Sequence, residues 1–197
     1  MSIFVAHGAG PAPDPRRLGW LPLVTGLAVV RAARSLGVST AALKWPNDVL
    51  VDHVDSARKL CGILAELTAH GVVIGVGLNL GQTVESLPVP TATSLGVEGV
   101  PVTQRTPDAA LAAVLEQLVP LIEQWRASTD PSALRAEISA VLQTQGRAVR
   151  VDLPGQPALL GTAVGLDDDG RLLVQPRDGA ERLVAVAAGD VTHLRYE

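Results

Sequence analysis

Two apolar runs separated by four residues set the tightest limit on how this chain can fold. KLCGILAEL covers residues 59–67, VVIGVGLNL covers 72–80, and TAHG lies between them. They read as two adjacent strands with a short polar link. Their near-continuous apolarity predicts strands covered on both faces. In the second run Gly75, Gly77 and Asn79 share one face by period-two alternation. Glycine inside a strand weakens it and often marks close approach by a ligand or another backbone. Two of them make a flat shelf, ending in an amide that both donates and accepts, suited to a purine edge or a ribose hydroxyl. A helix packed closely on the glycines explains the same pattern.

The rest of the chain fits around this pair. Residues 2–7 read as a strand, and residues 8–17 as a Gly/Pro-rich loop. Leu23, Leu27, Val30, Ala33 and Leu36 have helical spacing, with Gly37 as the stop. ALKW and VLV read as strands joined through Pro46-Asn47-Asp48, a turn signature, and residues 52–58 as a polar hairpin loop. Residues 82–105 are irregular. Thr106-Pro107-Asp108 starts a helix running to about Trp125, with Pro120 expected to kink it. Asp130-Pro131 starts another, to about Gln143. After Gly146, five short alternating segments separated by PGQ, DDDG, RDG and AAGD predict a small barrel of SH3-like or OB-like type. The expected division is therefore 1–145 and 146–197.

Composition excludes several functions. The net charge of −4 carries no electrostatic footprint for nucleic acid or an anionic membrane. No run of about 18 apolar residues spans a bilayer. The single cysteine, Cys61, permits no internal disulfide. With no basic n-region at the N-terminus, these features predict a cytoplasmic chain. His7, His53, His70 and His193 lack metal-ligand spacing, so no metal ligand is assigned, and Cys61 reads as a small buried hydrophobe. There is no Walker loop or G-x-S-x-G elbow, and GVGLNLG does not complete a dinucleotide-binding fingerprint.

ALKWPNDVLV, residues 41–50, is the other unusual stretch. Lys44 and Asp48 flank a tight turn, which puts their side chains within reach of each other. They read equally as a surface ion pair worth about 0–1 kcal/mol, Asn47 as an ordinary turn residue, and Trp45 as core. Of sixteen basic residues only Lys44 and Lys59 are lysines. An ammonium is a compact charge that fits where a planar guanidinium does not. Lys59 can snorkel to the sheet edge, or it can neutralise a carboxylate or phosphate during acyl transfer.

The order of these pieces is more specific than any one of them. KWPND, then KLCGILAE, then VIGVGLNL, then ATSL at 92–95 closely resembles the bacterial biotin–protein ligases. The helix 107–125 and the terminal barrel also match that family's order. The resemblance implies an α+β fold: a mixed β-sheet with packed helices, related to class II aminoacyl-tRNA synthetases, plus a C-terminal SH3-like barrel. It implies a two-step reaction, in which biotin and ATP give biotinyl-5′-AMP and pyrophosphate with Mg²⁺ in support. A lysine of the biotin carboxyl carrier protein of acetyl-CoA carboxylase, or of a related carboxylase, then takes the biotinyl group. By motif, Lys59 resembles the lysine on the biotin carboxylate and the activated acyl-phosphate. Lys44 and Asp48 resemble the polar pair lining the reaction centre. Asn47 and Asn79, with Gly77, resemble the adenylate-holding positions, and Gly62 and Gly75 give close backbone approach to biotin.

The family also carries an earlier Ser-Thr pair and a G-R-G-R-x-G-R loop over biotin and the phosphates, and neither occurs in this sequence. Met1 is thus expected to fall inside the catalytic domain, through a misassigned start or a real shortening, with adenylation impaired. No winged helix precedes it, so a repressor role is not expected. The alternatives are an inactive remnant serving as a ligand- or carrier-binding module, and a lipoate or octanoate transferase of the same fold.

Overall fold

The computed structural model describes residues 1–6, 14–53, 56–153, 155, 157–178, 182–187 and 190–193. His7 and most of the loop predicted over 8–17 lie outside them. The predicted hairpin forms as β4 (Ala57–Thr68) and β5 (Gly71–Leu78), antiparallel from Cys61↔Leu78 to Thr68↔Gly71. β1 (Ser2–Ala6) adds outside β5, while β3 (Asp48–Asp52) and then β2 (Ala41–Lys44) add outside β4. The sheet order is β1-β5-β4-β3-β2. Every strand pair in it is antiparallel, and parallel bridges occur at Leu43↔Leu142 and Lys59↔Ala92.

One face of this sheet is covered. α1 (Trp20–Ser35), preceded by a 3-10 turn over Pro15–Gly19, is apolar almost all round, as expected of a buried helix. It approaches the sheet at Gly26, where an added Cβ would lie 2.4 Å from Leu43 Cδ1, and it ends at Gly37 with φ +111°. α2 (Thr106–Ala127) continues helical through Pro120 and buries Val114, Leu118, Leu121, Ile122 and Trp125. Leu111, on the same helix, is exposed. The opposite face carries Phe4 and Leu64, 54% and 62% exposed. Coverage on both faces, expected from apolarity, is therefore corrected: among the described residues the helices lie on one side only. The helix expected over 131–143 is shorter. α3 is Ser132–Ser139, and Leu43 draws the following residues into pairing, with Leu43 N donating to Val141 O and Gln143 N to Leu43 O.

All five terminal strands form: β6 (Ala148–Asp152), β7 (Leu159–Leu166), β8 (Leu172–Pro176), β9 (Val184–Val186) and β10 (Asp190–His193). They make a second antiparallel sheet, ordered β10-β6-β7-β8-β9. Its β7–β8 turn, closed by Gly170 at φ +77°, receives two indoles from the first sheet's side. Trp20 Nε1 donates to Asp168 O at 2.9 Å and Trp45 Nε1 to Gly170 O at 3.2 Å. One continuous buried cluster runs through both sheets. No helix among the described residues is long and apolar enough to cross a membrane.

Candidate functional site

The uncovered face of the first sheet carries a row of aligned residues. Lys44 on β2 pairs with Asp48 on β3, Asp48 with Gly62 on β4, and Gly62 with Gly77 on β5. Leu64 and Gly75 form the next row. Nothing lies within 3.5 Å of a Cβ added at Gly75 or Gly77, so the backbone there is a bare shelf.

Lys59 reaches this face through a break in alternation. Three residues before Gly62, it would point to the opposite face of a regular strand. The β3–β4 register shifts between Val49 and Leu50, a β-bulge of the kind that re-aims side chains beside active sites. Leu60 and Cys61 consequently both turn into the core, and Lys59 emerges on the side of Gly62. Its Nζ lies 2.6 Å from Asp48 Oδ1. The lysine lies across the glycine: an added Cβ on Gly62 would be 3.1 Å from Lys59 Cε and 3.2 Å from Nζ. The ion pair is 47% exposed on Lys59 and 19% on Asp48, so it is worth on the order of 0–1 kcal/mol to stability. Its consequence is aim.

Asn47, Asp48, Lys59, Gly62, Gly75 and Gly77 line one cavity of about 450 Å³. Of the eight residues singled out from the sequence, these six come together and Lys44 and Asn79 do not line it. The pairing of Lys44 with Asp48 that the turn allowed is corrected: the bulge supplies Lys59 as the carboxylate's partner instead. Asn47 seals the turn onto β4, with Nδ2 donating to Ile63 O at 2.7 Å and its carbonyl accepting from Ile63 N at 2.9 Å. Asn79 Nδ2 donates to Thr93 O at 2.9 Å, tying the end of β5 to the 91–95 loop. That loop in turn brackets Lys59: Lys59 N donates to Thr91 O at 2.7 Å and Thr93 N to Lys59 O at 2.9 Å.

Cys61 faces away from the cavity. Burial pushes its thiol up to about 12, with the Asp48 carboxylate acting in the same direction and Lys59 opposing, so it is no nucleophile at neutral pH. Among the described residues, no three His, Cys, Asp or Glu side chains are grouped to hold a metal ion. The expected Mg²⁺ thus finds no dedicated protein site among them. Sequence reasoning missed the bulge. Its only local trace is the doublet Leu60-Cys61, two core residues in succession where alternation asks for one.

Comparison with known proteins adds an independent line. Residues 5–79 match the Biotin/lipoate A/B protein ligase family, and residues 144–194 match the Biotin protein ligase C terminal domain. The chain is 44% identical over 180 residues to the Biotin--[acetyl-CoA-carboxylase] ligase of Mycobacterium tuberculosis, covering 90% of this chain and 63% of that protein. It is 31% identical over 186 residues to the Bifunctional ligase/repressor BirA of Escherichia coli, covering 91% of this chain and 54% of that one. The chain therefore spans somewhat over half the length of these relatives. The apo structure of the biotin protein ligase from Aquifex aeolicus superposes with a TM-score of 0.79 at 23% identity, covering 98% of this chain and 81% of that one. The same protein in complex with biotin and ATP gives 0.77 at 24%. These structural likenesses establish the fold.

Proposed function

The chain belongs to the biotin protein ligase family, and from that premise we propose that its glycine-floored cavity activates biotin with ATP and passes the biotinyl group to a carrier-protein lysine. The observation that carries this reading is Lys59, swung by a bulge across Gly62 into the cavity beside Asp48. Adenylation brings a carboxylate against a triphosphate, and an ammionium fixed between two anions lowers the cost of their approach.

In the first step a biotin carboxylate oxygen attacks the α-phosphorus, and the bond to pyrophosphate breaks. Lys59 leaves Asp48 for the acyl-phosphate oxygens. Gly62 and Gly75 let the substrate lie against the sheet, and Gly77 with the spare hydrogen-bonding capacity of Asn47 and Asn79 serves the nucleotide end. In the second step the carrier amine attacks the acyl carbon, the bond to AMP breaks, and Asp48 is placed to take the amine's proton. Lys44, one position along the row, adds positive charge at the margin.

The acceptor in this reading is the biotin carboxyl carrier protein of acetyl-CoA carboxylase or of a related carboxylase; acetyl-CoA carboxylase is the substrate in the name of the Mycobacterium tuberculosis relative. A reaction that consumes ATP is consistent with the cytoplasm. The match at residues 144–194 supports biotin over lipoate or octanoate. We further propose that a domain boundary falls at residue 145 and that the five-stranded terminal sheet belongs to an SH3-like barrel. Lys59→Ala is expected to abolish biotin-dependent pyrophosphate release while leaving the circular dichroism spectrum unchanged. Normal release in that variant would overturn the assignment.

A further inference from the structure

Behind the reaction lysine sits a polar cluster that the reading above leaves without a role. Glu98 is nearly buried, with its side chain 11% exposed. Its Oε1 accepts from the hydroxyl of Thr93, which is fully buried, and lies 3.1 Å from His53 Nε2. Among the described residues no arginine or lysine pairs with it. Burying a carboxylate costs free energy unless its partners compensate, so the placement calls for an explanation. The backbone supplies one. Thr93 N donates to Lys59 O, Lys59 N donates to Thr91 O, and Thr93 O accepts from Asn79 Nδ2. Glu98 thus grips, through one hydroxyl, the residue whose main chain fastens the bulged start of β4.

We propose that Glu98 is a positioning residue: through Thr93 it locks the 91–95 loop onto the backbone of Lys59 and so holds the Lys59 ammonium on Asp48 across the glycine shelf. His53, just after β3, completes the clamp by engaging the same carboxylate oxygen as Thr93. The geometric part stands on hydrogen bonds alone, and its catalytic consequence rests on the ligase reading.

The chain's two lysines make the test direct. Brief acetylation with acetic anhydride, read by peptide mass spectrometry, reports Lys59 against Lys44 as an internal reference in the same molecule. Glu98→Ala and Thr93→Val are each expected to raise the Lys59-to-Lys44 labelling ratio by about threefold or more, the scale of one lost hydrogen bond, towards the value given by Asp48→Asn. The double variant is expected to do no more than either single change. Glu98→Gln, which keeps an acceptor for Thr93, is expected to restore the ratio. A ratio unchanged in both single variants, or a parallel rise at both lysines, would overturn the proposal. Should Glu98→Ala not fold, Thr93→Val and Glu98→Gln decide it. In a second arm, biotin-dependent pyrophosphate release is expected to lose about tenfold in kcat in Thr93→Val with little change in KM, the cost of a misplaced group. Intact release in Lys59→Ala sinks the ligase reading and leaves the labelling result standing. A flat labelling ratio sinks the clamp and leaves the ligase reading standing.

Discussion

Gly62 owes its identity to the lysine three residues before it. Because the Lys59 side chain crosses it at 3.1–3.2 Å from any added Cβ, Gly62→Ala must displace the ammonium by a few tenths of an ångström from its seat beside Asp48. Lys59 is flexible and half-exposed, so the fold should tolerate the change. The expected outcome is a loss of about tenfold or more in pyrophosphate release with a Tm close to wild type. Unchanged activity would show that the lysine does not work from this position. Cys61, next to it, behaves oppositely. Its thiol stands at about 12 when folded, against an ordinary value of 9.0. The folded state therefore keeps a proton that the unfolded chain releases. The associated stability is full below about pH 9 and is lost as pH climbs towards 12. Native protein at pH 8 should resist iodoacetamide and react only when unfolded, and melts at pH 8 and 10.5 should show the decline. Rapid native alkylation would contradict the burial. Both residues were visible in the sequence, but their relation was not, because it depends on which way consecutive side chains turn.

At the scale of elements, the sheet's weakest seam is its edge. Gly71 opens β5 opposite β1, and an added Cβ there would meet Val5 O at 2.4 Å and Phe4 Cε2 at 2.8 Å. The nearer atom belongs to the backbone and cannot rotate away, so Gly71→Ala should push β1 off the sheet. Hydrogen exchange should show lost protection at Ser2–Ala6, with β3 and the middle of β4 unaffected. Loss of protection throughout would mean that β1 is integral to the whole core. The strands and the first two helices were legible from periodicity, since a helix buried on most sides and a strand alternating in and out leave local signatures. The extent of α3 was not. Residues 140–143 have helical composition, and Leu43, about a hundred positions earlier, claims their backbone instead.

Two indoles bond across the two sheets, within the buried cluster that runs through both. Trp45 follows β2 within the KWPND stretch, yet its Nε1 donates to the carbonyl of Gly170 in the β7–β8 turn. Trp45→Phe keeps the ring but strands a carbonyl, at a cost of about 1–3 kcal/mol. Each kcal/mol lowers Tm by on the order of 2–4 °C in a chain of this size. A thermal melt with no shift would mean that the sheets are joined by other contacts. By itself the sequence determined the family and the order of the strands and first helices, because motif spacing and hydrophobic period are local and survive without coordinates; it put Gly75 and Gly77 on one face but left open whether a ligand or a helix lies against them. Only the tertiary structure decided that, among the described residues, the helices lie on one side of the shelf's sheet, that Lys59 rather than Lys44 pairs with Asp48, and that Asn79 and Glu98 both hydrogen-bond to Thr93. Each of these depends on how strands, helices and loops are set against one another in space. A single bulge reverses the facing of every residue on one side of it, which no local pattern can count.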